Sequence, residues 1–321
     1  MRALVTGGAG FIGSHLADAL LAGGNEVYAV DDLSTGSITN IDSLKHDPSF
    51  HYSNGSVTDL ELMEDLVDRC DVIFHLAAVV GVRRVLEDPV RTIETNINGT
   101  SAILGLAKEK GKKLVLTSTS EVYGNSPQIP FQEETYLEVH PAMKSRWSYA
   151  WSKLMDETLS LAYWNQYGLP VVILRLFNTV GPRQTGRYGM VIPRLVGQAL
   201  AGEPLTVYGD GQQSRCFAFV GDVVRGMIQL AECPEAVGQI VNLGNDQEVT
   251  IEDLAQMVRD IAGSPSPITY IPFEQVLGKD FEETRRRQPD LSKVRRLIGY
   301  RPTKDLPDII RSVIDYQQAG H

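Results

Sequence analysis

A glycine-rich turn near the start of the chain constrains the fold more than any other feature. A short apolar run ends at Thr6, and Gly7-Gly8-Ala9-Gly10-Phe11-Ile12-Gly13 then opens a helical pattern. Glycines at this spacing allow a tight turn, a close approach of the backbone to a pyrophosphate and close packing of helix on strand. Tight turns alone also select glycine. A strand before the turn and a helix after it favour a dinucleotide site, because a helix amino terminus attracts phosphate.

The first half of the chain alternates short apolar runs with helical patterns. The apolar runs predict strands at 3–5, 26–30, 50–52, 72–74, 113–116 and 171–174. The helical patterns of this half cover 11–22, 89–110 and 146–167. Apolar strands that alternate with helices indicate a parallel sheet covered on both faces. We therefore predict an α/β fold with a Rossmann-type, doubly wound parallel sheet.

The pattern changes after Arg175, where prolines and glycines divide the chain into shorter pieces. Helical patterns remain at 191–201, 220–231, 251–261 and 306–316. We predict two domains, a Rossmann domain that binds the cofactor over residues 1–177 and a smaller C-terminal α/β region that binds the substrate over 178–321. Segments around 210–245 are candidates to return to the first domain.

Composition narrows the function classes. The net charge of −10 argues against a nucleic-acid partner, whose backbone is anionic. Cys70, Cys216 and Cys233 lack CxxC spacing, and the histidines are isolated, so neither a disulfide framework nor a metal site is expected. No apolar run approaches the ~20 residues of a membrane span, and a predicted strand stands where a signal peptide would begin. We expect a cytoplasmic protein without membrane contact.

Two acids, Asp31 and Asp32, follow the second predicted strand about twenty residues after the glycines. A carboxylate at this place accepts hydrogen bonds from the adenosine ribose hydroxyls and repels a 2′-phosphate. The alternative is a helix cap or a solvated turn acid, which suits Asp32 better than Asp31. Because no arginine stands beside the pair, the sequence predicts NAD rather than NADP.

Tyr149 and Lys153 are four residues apart within a helical pattern, which places both side chains on one helix face. For the tyrosine to act as a base near neutral pH, its pKa must fall by about three from its ordinary value near 10, which takes roughly 4 kcal/mol. An adjacent ammonium and a positive nicotinamide favour the phenolate. Thr119 lies at a predicted strand end, where its hydroxyl can hydrogen bond the reacting oxygen. Such pairs also arise by chance on helices, but the glycine turn and Thr119 favour catalysis.

Further motifs accompany these residues. They are Asp31-Asp32-Leu33-Ser34-Thr35-Gly36, His75-Leu76-Ala77-Ala78, Asn96-Ile97-Asn98-Gly99-Thr100, Thr117-Ser118-Thr119-Ser120-Glu121-Val122-Tyr123-Gly124, Arg175-Leu176-Phe177-Asn178-x-x-Gly181-Pro182-Arg183 and Tyr208-Gly209-Asp210-Gly211-x-Gln213-x-Arg215. With the glycine turn and the Tyr149–Lys153 pair, they resemble the extended short-chain dehydrogenase/reductases. Within that family the resemblance is to the NAD-dependent sugar-nucleotide epimerase/dehydratase group, and it spans nearly the whole chain.

The resemblance implies a tightly held NAD and oxidation of the sugar at C4. Tyr149 would take the proton of the 4-hydroxyl, Lys153 would lower the tyrosine pKa and hold the nicotinamide ribose, and Thr119 would orient the hydroxyl. Tyr149 and Lys153 would also contact the cofactor. The other expected cofactor contacts are Gly7, Gly10, Phe11, Ile12, Gly13, Asp31, Asp32, Leu33, Ser34, Thr35, Gly36, Ser56, Val57, Leu76, Ala77, Ala78, Asn96 and Thr117. Ser56 is a departure, since the family commonly has an aspartate there facing the adenine.

The resemblance also implies a nucleotide-sugar substrate, with UDP preferred over dTDP or GDP. Expected substrate contacts are Asn178, Arg187, Val191, Val207, Tyr208, Gln213, Arg215, Arg287 and Asp290. The run Arg285-Arg286-Arg287 suits a pyrophosphate, and the alternative is a solvated basic run. The helices at 89–110 and 146–167 resemble those through which the family forms a homodimer, although they could equally just cover the sheet.

The triplet Thr119-Ser120-Glu121 bears on the fate of the 4-keto sugar. In the related 4,6-dehydratases an aspartate stands at the position of Ser120, so dehydration is disfavoured. Thr-Ser-Glu is similar to UDP-glucuronate decarboxylases, as are Arg287 before Gln288-Pro289-Asp290 and the stretch Arg146-Trp147-Ser148-Tyr149. There Glu121 could assist reprotonation at C5 after loss of CO2. The alternative for Glu121 is an acid that caps local N–H groups at the strand end.

We predict a 4-epimerase of UDP-glucose or UDP-glucuronate, with Thr119, Ser120, Glu121, Tyr149 and Lys153 as catalytic residues. It is chosen because epimerases dominate the family and Arg187-Tyr188-Gly189 does not match the decarboxylases. UDP-glucuronate decarboxylation is the close alternative, and a 4,6-dehydratase ranks below it. A non-catalytic NAD-binding module also ranks below them, because such a protein is expected to lose the tyrosine or the lysine.

Overall fold

The computed structural model describes residues 1–135, 137, 138, 140, 144–186, 189–278 and 282–320. The strands are β1 Arg2–Thr6, β2 Glu26–Asp31, β3 Phe50–Asn54, β4 Val72–His75, β5 Lys113–Thr119, β6 Val171–Leu176, β7 Thr179–Val180, β8 Leu205–Tyr208, β9 Ser214–Cys216, β10 Ala218–Phe219, β11 Gln239–Leu243, β12 Glu248–Thr250, β13 Ile268–Ile271 and β14 Arg286–Arg287. The α-helices are α1 Phe11–Ala22, α2 Leu60–Arg69, α3 Val82–Glu87, α4 Pro89–Lys110, α5 Ser148–Tyr167, α6 Val191–Ala201, α7 Val220–Glu232, α8 Ile251–Ile261, α9 Phe273–Leu277, α10 Ser292–Ile298 and α11 Leu306–Gln318.

Short apolar strands form the central sheet. Within the described residues seven strands pair in the order β11-β6-β5-β4-β1-β2-β3, and every neighbouring pair is parallel. In register, Val5 of β1 lies between Ala29 of β2 and Phe74 of β4. The order reverses between β1 and β4, so the carboxyl ends of these two strands border the crevice where such sheets bind ligands.

Helices cover both faces of this sheet, as the near-continuous apolar strands require. On one face α1 and α7 pack together, and Leu16 and Met227 are fully buried there. On the other face α2 and α4 contribute Met63 and Ile103, and α5 runs along α4. Burial of each such side chain contributes about 1.5–3 kcal/mol, so the sheet holds its loops at fixed positions.

Helix signals in the sequence explain the length of α4. Asp88 caps its start by accepting a hydrogen bond from the Arg91 N–H, and Pro89 occupies the first turn. Gly111 ends the helix in the left-handed conformation, which glycine adopts without steric cost. The predicted bounds of this helix are therefore confirmed.

A second group of elements lies beyond the carboxyl edge of the sheet. Its helices α6, α8 and α11 enclose an apolar core that includes Leu195, Leu254 and Val313. Three small sheets complete it, β12-β9-β14, β8-β13 and β7-β10. Meanwhile α7 and β11 return to the central sheet, where β11 pairs with β6. The domain boundary near residue 177 remains a prediction.

The fold-class prediction is confirmed, and the differences concern element ends and short pieces. The helix predicted from Arg146 begins at Ser148, after a 3-10 turn over Ser145–Trp147. The helices at 220 and 306 run one and two residues beyond their predicted ends. Short elements such as α9 and β14 were not predicted, because so few residues show no periodicity.

Candidate active site

The carboxyl edge of the central sheet and the second group of elements border a cleft of about 1640 Å³. This volume exceeds that of usual single-ligand pockets, roughly 300–1,000 Å³, so the cleft has room for two ligands. Most predicted site residues line it. They are Gly7, Gly10, Phe11, Ile12, Gly13, Asp31, Asp32, Leu33, Ser34, Thr35, Gly36, Ser56, Val57, Leu76, Ala77, Ala78, Thr117, Thr119, Ser120, Glu121, Tyr149, Asn178, Val191, Tyr208, Gln213, Arg215 and Arg287.

The glycine turn has the geometry of a phosphate cradle. Gly7 has a φ of 70°, and a Cβ on Gly13 would lie 2.1 Å from the Gly7 carbonyl oxygen. Neither residue can therefore be replaced without moving the backbone. Helix α1 begins after Gly10 with no side-chain cap and no acid in its first turn. The N–H groups at its start are thus left to bind an anion from the cleft.

The two acids after β2 do different things. Asp31 is buried, and its carboxylate accepts hydrogen bonds from the Ala9 N–H at 3.1 Å and the Leu33 N–H at 2.8 Å. Burial raises the pKa of Asp31, and these backbone hydrogen bonds offset part of that rise. Asp32 is exposed and accepts from the Ser34 N–H at 2.9 Å. Asp31 thus fastens the glycine turn to the next loop, while Asp32 is a turn acid.

Helix α5 presents Tyr149 to the cleft and holds Lys153 one turn further on. Lys153 is buried, and its Nζ lies 2.9 Å from Asp156 Oδ2. Burial raises the pKa of Tyr149, and the carboxylates of Glu121 and Asp156 raise it further. The protein's own groups thus raise this pKa, whereas a role as base needs it lowered when the positive nicotinamide is bound.

Strand β5 delivers Thr119 and Glu121 to the same place. The Thr119 hydroxyl accepts a hydrogen bond from the Glu121 N–H at 3.2 Å and so caps a short 3-10 turn. The Glu121 carboxylate lies 2.7 Å from Arg146 Nη1 and 3.7 Å from Arg287 Nη1. Burial raises the pKa of Glu121, but the charges of Arg146, Arg287 and Arg215 and the hydrogen bond from Arg146 together lower it below its ordinary value. Glu121 is therefore an ionised partner of two arginines.

The arginine run splits at β14. Because side chains alternate along a strand, Arg287 points into the cleft and Arg286 points out. Arg285 and Arg286 are exposed, and each pairs with a surface carboxylate, Asp210 and Glu248, both at 2.8 Å. Burial and the neighbouring Arg215 lower the pKa of Arg287 to about 10. Only the last arginine of the run belongs to the cleft.

Arg215 completes the charged part of the cleft. It is buried on β9, donates to the Ser214 carbonyl at 2.7 Å and pairs with Glu283. Three arginines, 146, 215 and 287, thus face two carboxylates, Glu121 and Glu283, which leaves one net positive charge. This part of the cleft suits a ligand with an anionic group.

Some predicted contacts do not line the cleft. Val207 is buried in the second core, because β8 turns Tyr208 toward the cleft instead. Asp290 accepts from the Ser292 N–H at the start of α10 and from Gln132. Asn96 lies behind the cleft wall, where it accepts from the Val79 N–H at 2.8 Å. Lys153 lies behind Tyr149, and Arg187 falls outside the described residues.

The sequence model of the GDP-mannose 4,6 dehydratase family matches residues 4–313. The chain belongs to this family. It is 42% identical over 317 residues to the UDP-N-acetyl-alpha-D-glucosaminuronate decarboxylase of Bacillus cytotoxicus, with 98% of this chain and 97% of that protein covered. It is 38% identical over 315 residues to UDP-glucuronic acid decarboxylase 1 of Xenopus tropicalis, with 98% and 72% covered.

Among family members of solved structure, the UDP-glucuronic acid 4-epimerase of Bacillus cereus, in complex with UDP-glucuronic acid and NAD, aligns over 100% of both chains. The TM-score is 0.89 and the identity 32%. The predicted resemblance to the NAD-dependent sugar-nucleotide group of the extended short-chain dehydrogenase/reductases is confirmed by these findings. The chain is thus an NAD-dependent sugar-nucleotide enzyme.

Arg146 is the main residue that the list of predicted contacts lacked. It was noticed only as part of a motif, although its place three residues before Tyr149 could have indicated that both reach the same site. Arg183, the last residue of the motif that starts at Arg175, also lines the cleft and pairs with Asp18 of α1 at 2.7 Å, although it was not among the predicted contacts.

No cluster of three acidic, histidine or cysteine side chains able to hold a metal ion occurs in the part of the chain that the structure describes. None of the helices described here has the length and apolar character needed to cross a membrane.

Proposed function

We propose that the chain is a decarboxylase of a UDP-linked hexuronate that first oxidises the sugar at C4. The observation that carries this proposal is the Glu121–Arg146–Arg287 cluster beside Tyr149, with its net positive charge. A hexuronate differs from a hexose by the carboxylate at C6, and that group is what such a cluster recognises. The identity of 42% to a decarboxylase of a UDP-linked uronate supports the same reaction.

The described residues fit NAD. The turn at 7–13 leaves no room for side chains where a pyrophosphate would approach, and the start of α1 offers uncapped N–H groups. Asp31 and Asp32 lie where ribose hydroxyls would be bound. When bound, NAD supplies the hydride acceptor for C4 oxidation and later the hydride donor. The cofactor contacts predicted from the sequence are part of this proposal, apart from Asn96, which supports the loop at Val79 from behind.

Tyr149 is the proposed base. Its phenol must lose a proton as the 4-hydroxyl is oxidised, although burial and two carboxylates raise its pKa. The Lys153 ammonium is the chain's own cation one turn away on α5, and it stabilises the phenolate. The Thr119 hydroxyl accepts from the Glu121 N–H, which leaves its proton to donate to the reacting oxygen.

Arg146 and Arg287 are the proposed recognition groups for the uronate carboxylate. Oxidation at C4 makes the substrate a β-keto acid, which loses CO2 because the ketone takes up the electron pair left at C5. Glu121 is ionised next to the two arginines and holds them in place for the substrate. Its low pKa leaves little protonated form at neutral pH, so we expect it to orient a proton donor for C5 rather than to store the proton.

A second candidate is 4-epimerisation, the reaction that the sequence analysis preferred. The Bacillus cereus 4-epimerase of UDP-glucuronic acid, which matches over the whole chain, supports it. Both reactions pass through the same 4-keto uronate, so the C4 chemistry assigned to Tyr149 is common to them. They differ in whether C6 leaves or the hydride returns to the other face of the sugar.

The test is incubation of the purified enzyme and NAD with UDP-glucuronate, UDP-N-acetylglucosaminuronate and UDP-glucose, followed by product mass and sugar NMR. Decarboxylation predicts that each uronate gives a product lighter by one CO2 that no longer carries the carboxylate. A product of unchanged mass with inverted stereochemistry at C4 would establish the epimerase instead. No conversion of any of the three would contradict both.

We also propose a homodimer and a cytoplasmic location. Helices α4 and α5 lie side by side, and apolar residues on them are exposed, Val90 and Met155 at 63% and 52%. Burial of this face against a second copy removes it from water. Free Cys70, Cys216 and Cys233 suit a reducing compartment. Light scattering of the purified enzyme should give twice the mass of the chain, and a monomer would contradict the dimer.

A further inference from the structure

A line of buried polar groups runs behind the catalytic helix, and the proposed reaction does not use it. It starts at Lys153, whose Nζ lies 2.9 Å from Asp156 Oδ2. The lysine side chain is 2% exposed and the aspartate fully buried. Such a pair is costly to bury unless further hydrogen bonds satisfy it. The Asp156 carboxylate therefore needs further hydrogen-bond donors besides Lys153.

The far end of the line fixes the direction of its hydrogen bonds. Thr6 Oγ1 accepts from the Leu76 N–H and from the Ala77 N–H, both at 3.1 Å. A hydroxyl oxygen has two lone pairs and one proton. With both lone pairs used, the Thr6 hydroxyl must donate its proton to His75 Nδ1, which lies 2.8 Å away.

The hydrogen bond from Thr6 also sets the donor and acceptor nitrogens of the His75 ring. Burial and the Lys153 ammonium lower the pKa of His75 to about 3, so the ring is neutral. Because Nδ1 accepts, the ring proton is on Nε2 and is donated to Thr100 Oγ1 at 3.3 Å. Thr100 then has its own proton to donate. We infer that the Asp156 carboxyl receives it, because Asp156 Oδ1 has no other hydrogen-bond partner among the described residues and the Thr100 hydroxyl lowers the pKa of Asp156. The donors of Thr6, His75 and Thr100 would then all point toward Asp156.

We propose that Asp156 is the positioning residue of Lys153, and that the line from Thr6 through His75 and Thr100 holds Asp156 for this task. The inference rests on the proposed role of Tyr149 and Lys153 in C4 oxidation. Asp156 uses one of the three N–H donors of the ammonium and leaves two for the reacting site. The other end of the line binds the N–H groups of Leu76 and Ala77, which line the cofactor side of the cleft. The lysine and the cofactor loop are thereby fixed to each other.

Asp156 acts on Tyr149 as well as on Lys153. The carboxylates of Glu121, after β5, and Asp156, on α5, both raise the pKa of Tyr149. His75, at the end of β4, is neutral, and Glu157 is turned away to Arg175 at 2.7 Å. Loss of the Asp156 charge should therefore lower the pKa of Tyr149, whereas loss of the Glu157 charge should not.

The test compares Asp156→Asn with Glu157→Gln, a buried carboxylate on the same helix that does not touch Lys153. The readout is the pH dependence of NAD reduction by UDP-glucuronate in a single turnover. We expect Asp156→Asn to slow the reaction about tenfold, as loss of a charge-assisted hydrogen bond implies, and to move the acid limb to lower pH. The proposal would be overturned if Asp156→Asn left the acid limb in place and slowed the reaction no more than Glu157→Gln does. Asp156 would then have only a structural role.

A second comparison keeps the proposal falsifiable if Asp156→Asn does not fold. Thr100→Ser keeps the hydroxyl and Thr100→Val removes it at nearly the same volume. We expect Thr100→Ser to retain the wild-type pH profile and Thr100→Val to move the acid limb to lower pH. Equal profiles for the two would overturn the proposed line.

NMR of the cofactor-free protein separates this inference from the proposed function. The ¹⁵N shifts of the His75 ring should show a neutral imidazole with the proton on Nε2 between pH 6 and 8, roughly around its ordinary pKa. A proton on Nδ1, or a charged ring, would overturn the line even in an active enzyme. Failure of every UDP-sugar to reduce NAD would instead overturn the proposed function and leave the ring measurement valid.

Discussion

The two sides of the cleft, proposed to bind the cofactor and the sugar, are built from different kinds of groups. The cofactor side consists largely of backbone, such as the glycine turn at 7–13, the uncapped start of α1 and the loop after β4. The substrate side at the sugar end consists of charged side chains, Arg146, Arg215, Arg287 and Glu121, brought together from elements far apart in the sequence. Backbone sites are specified locally, whereas side-chain sites depend on the whole fold. Relatives with the same C4 chemistry can therefore differ in the charged side chains of the substrate side.

The electrostatics of the two sides also differ. His75 is neutral behind the cofactor side, and Asp156 offsets the charge of Lys153. At the sugar end three arginines face two carboxylates, and the pKa values of Glu121 and Arg287 respond to their neighbours. In the proposed reaction, a fixed environment therefore controls oxidation at C4, and a charged one controls the fate of the C6 carboxylate. The predictions below test this division, from the largest expected effect to the smallest.

Tyr149→Phe should abolish the oxidation at C4, on which both decarboxylation and epimerisation depend. The ring remains, so the fold is kept, but the proton acceptor is lost, and we expect kcat to fall about 10³-fold for uronate and hexose alike. The measurement is NAD reduction in a single turnover. Tyr163→Phe, elsewhere on α5 and against Tyr167, is the control and should be active. A Tyr149→Phe enzyme with wild-type rates would remove the tyrosine from the mechanism.

Arg287→Ala should reduce the activity toward UDP-glucuronate much more than the activity toward UDP-glucose. Arg287 is buried beside Glu121, so its loss should reduce kcat/KM for UDP-glucuronate about 10²-fold, or roughly 3 kcal/mol, and affect UDP-glucose far less. Arg286→Ala removes the exposed neighbour, whose surface pair contributes at most about 1 kcal/mol, and should change neither. An equal loss for both substrates would mean that Arg287 does not recognise the carboxylate.

Gly13→Ala should act on the cofactor side alone. Its Cβ would lie 2.1 Å from the Gly7 carbonyl oxygen, so the turn must shift. Overpacking of this kind costs about 1–3 kcal/mol, and we expect NAD affinity to fall about tenfold or more with the ratio of uronate to hexose activity unchanged. Calorimetric titration with NAD measures the loss. Gly105→Ala on α4, where a Cβ meets nothing within 4 Å, is the control.

The pH dependence of stability should reveal the neutral histidine behind the cofactor side. The pKa of His75 is lowered to about 3, so the unfolded chain takes up a proton below pH 6.5 that the folded chain does not. The stabilisation is complete above the unfolded pKa and is lost as pH falls, by up to about 1.4 kcal/mol for each pH unit. The stabilisation from the lowered pKa of Glu121 is complete above its ordinary pKa of 4.5 and is lost only below it, so it stays nearly constant at higher pH.

Urea unfolding of wild type and His75→Gln at pH 6.5 and 5.5 tests this assignment. Glutamine keeps a donor near the Nε2 position but cannot titrate, so its free energy of unfolding should fall less than that of wild type over this interval, by about 1 kcal/mol. Equal falls would mean that His75 does not stay neutral in the folded chain.

Sequence reasoning predicted residues that line one side of the cleft because their signals are local. The glycine turn, the acids after β2 and the spacing of Tyr149 and Lys153 each lie within a few residues of one strand or helix. The six predicted strands of the first half pair as one parallel sheet for the same reason, since each is a short apolar run. These predictions needed no knowledge of how distant segments meet.

Sequence reasoning was weaker where distant segments meet. Whether Arg285, Arg286 or Arg287 faces the cleft depends on the register of β14 against β9, which the sequence does not show. Two other predicted contacts point away from the cleft for similar reasons. Val207 does so because side chains alternate along β8, and Asp290 because it accepts a hydrogen bond from an N–H at the start of α10. The pKa of Tyr149 also depends on the whole fold, because burial and the carboxylates of Glu121 and Asp156 raise it, and the spacing of Tyr149 and Lys153 does not show these effects.

The most direct test of the division is Glu121→Gln with UDP-glucuronate labelled with ¹³C at C6, with NAD absorbance and ¹³CO2 recorded in the same reaction. We predict that the variant still reduces NAD but releases CO2 at least tenfold more slowly than wild type, because its arginines are no longer held for the carboxylate. Release of ¹³CO2 at the wild-type rate, or loss of NAD reduction together with CO2, would contradict the separation of C4 oxidation from the fate of the carboxylate.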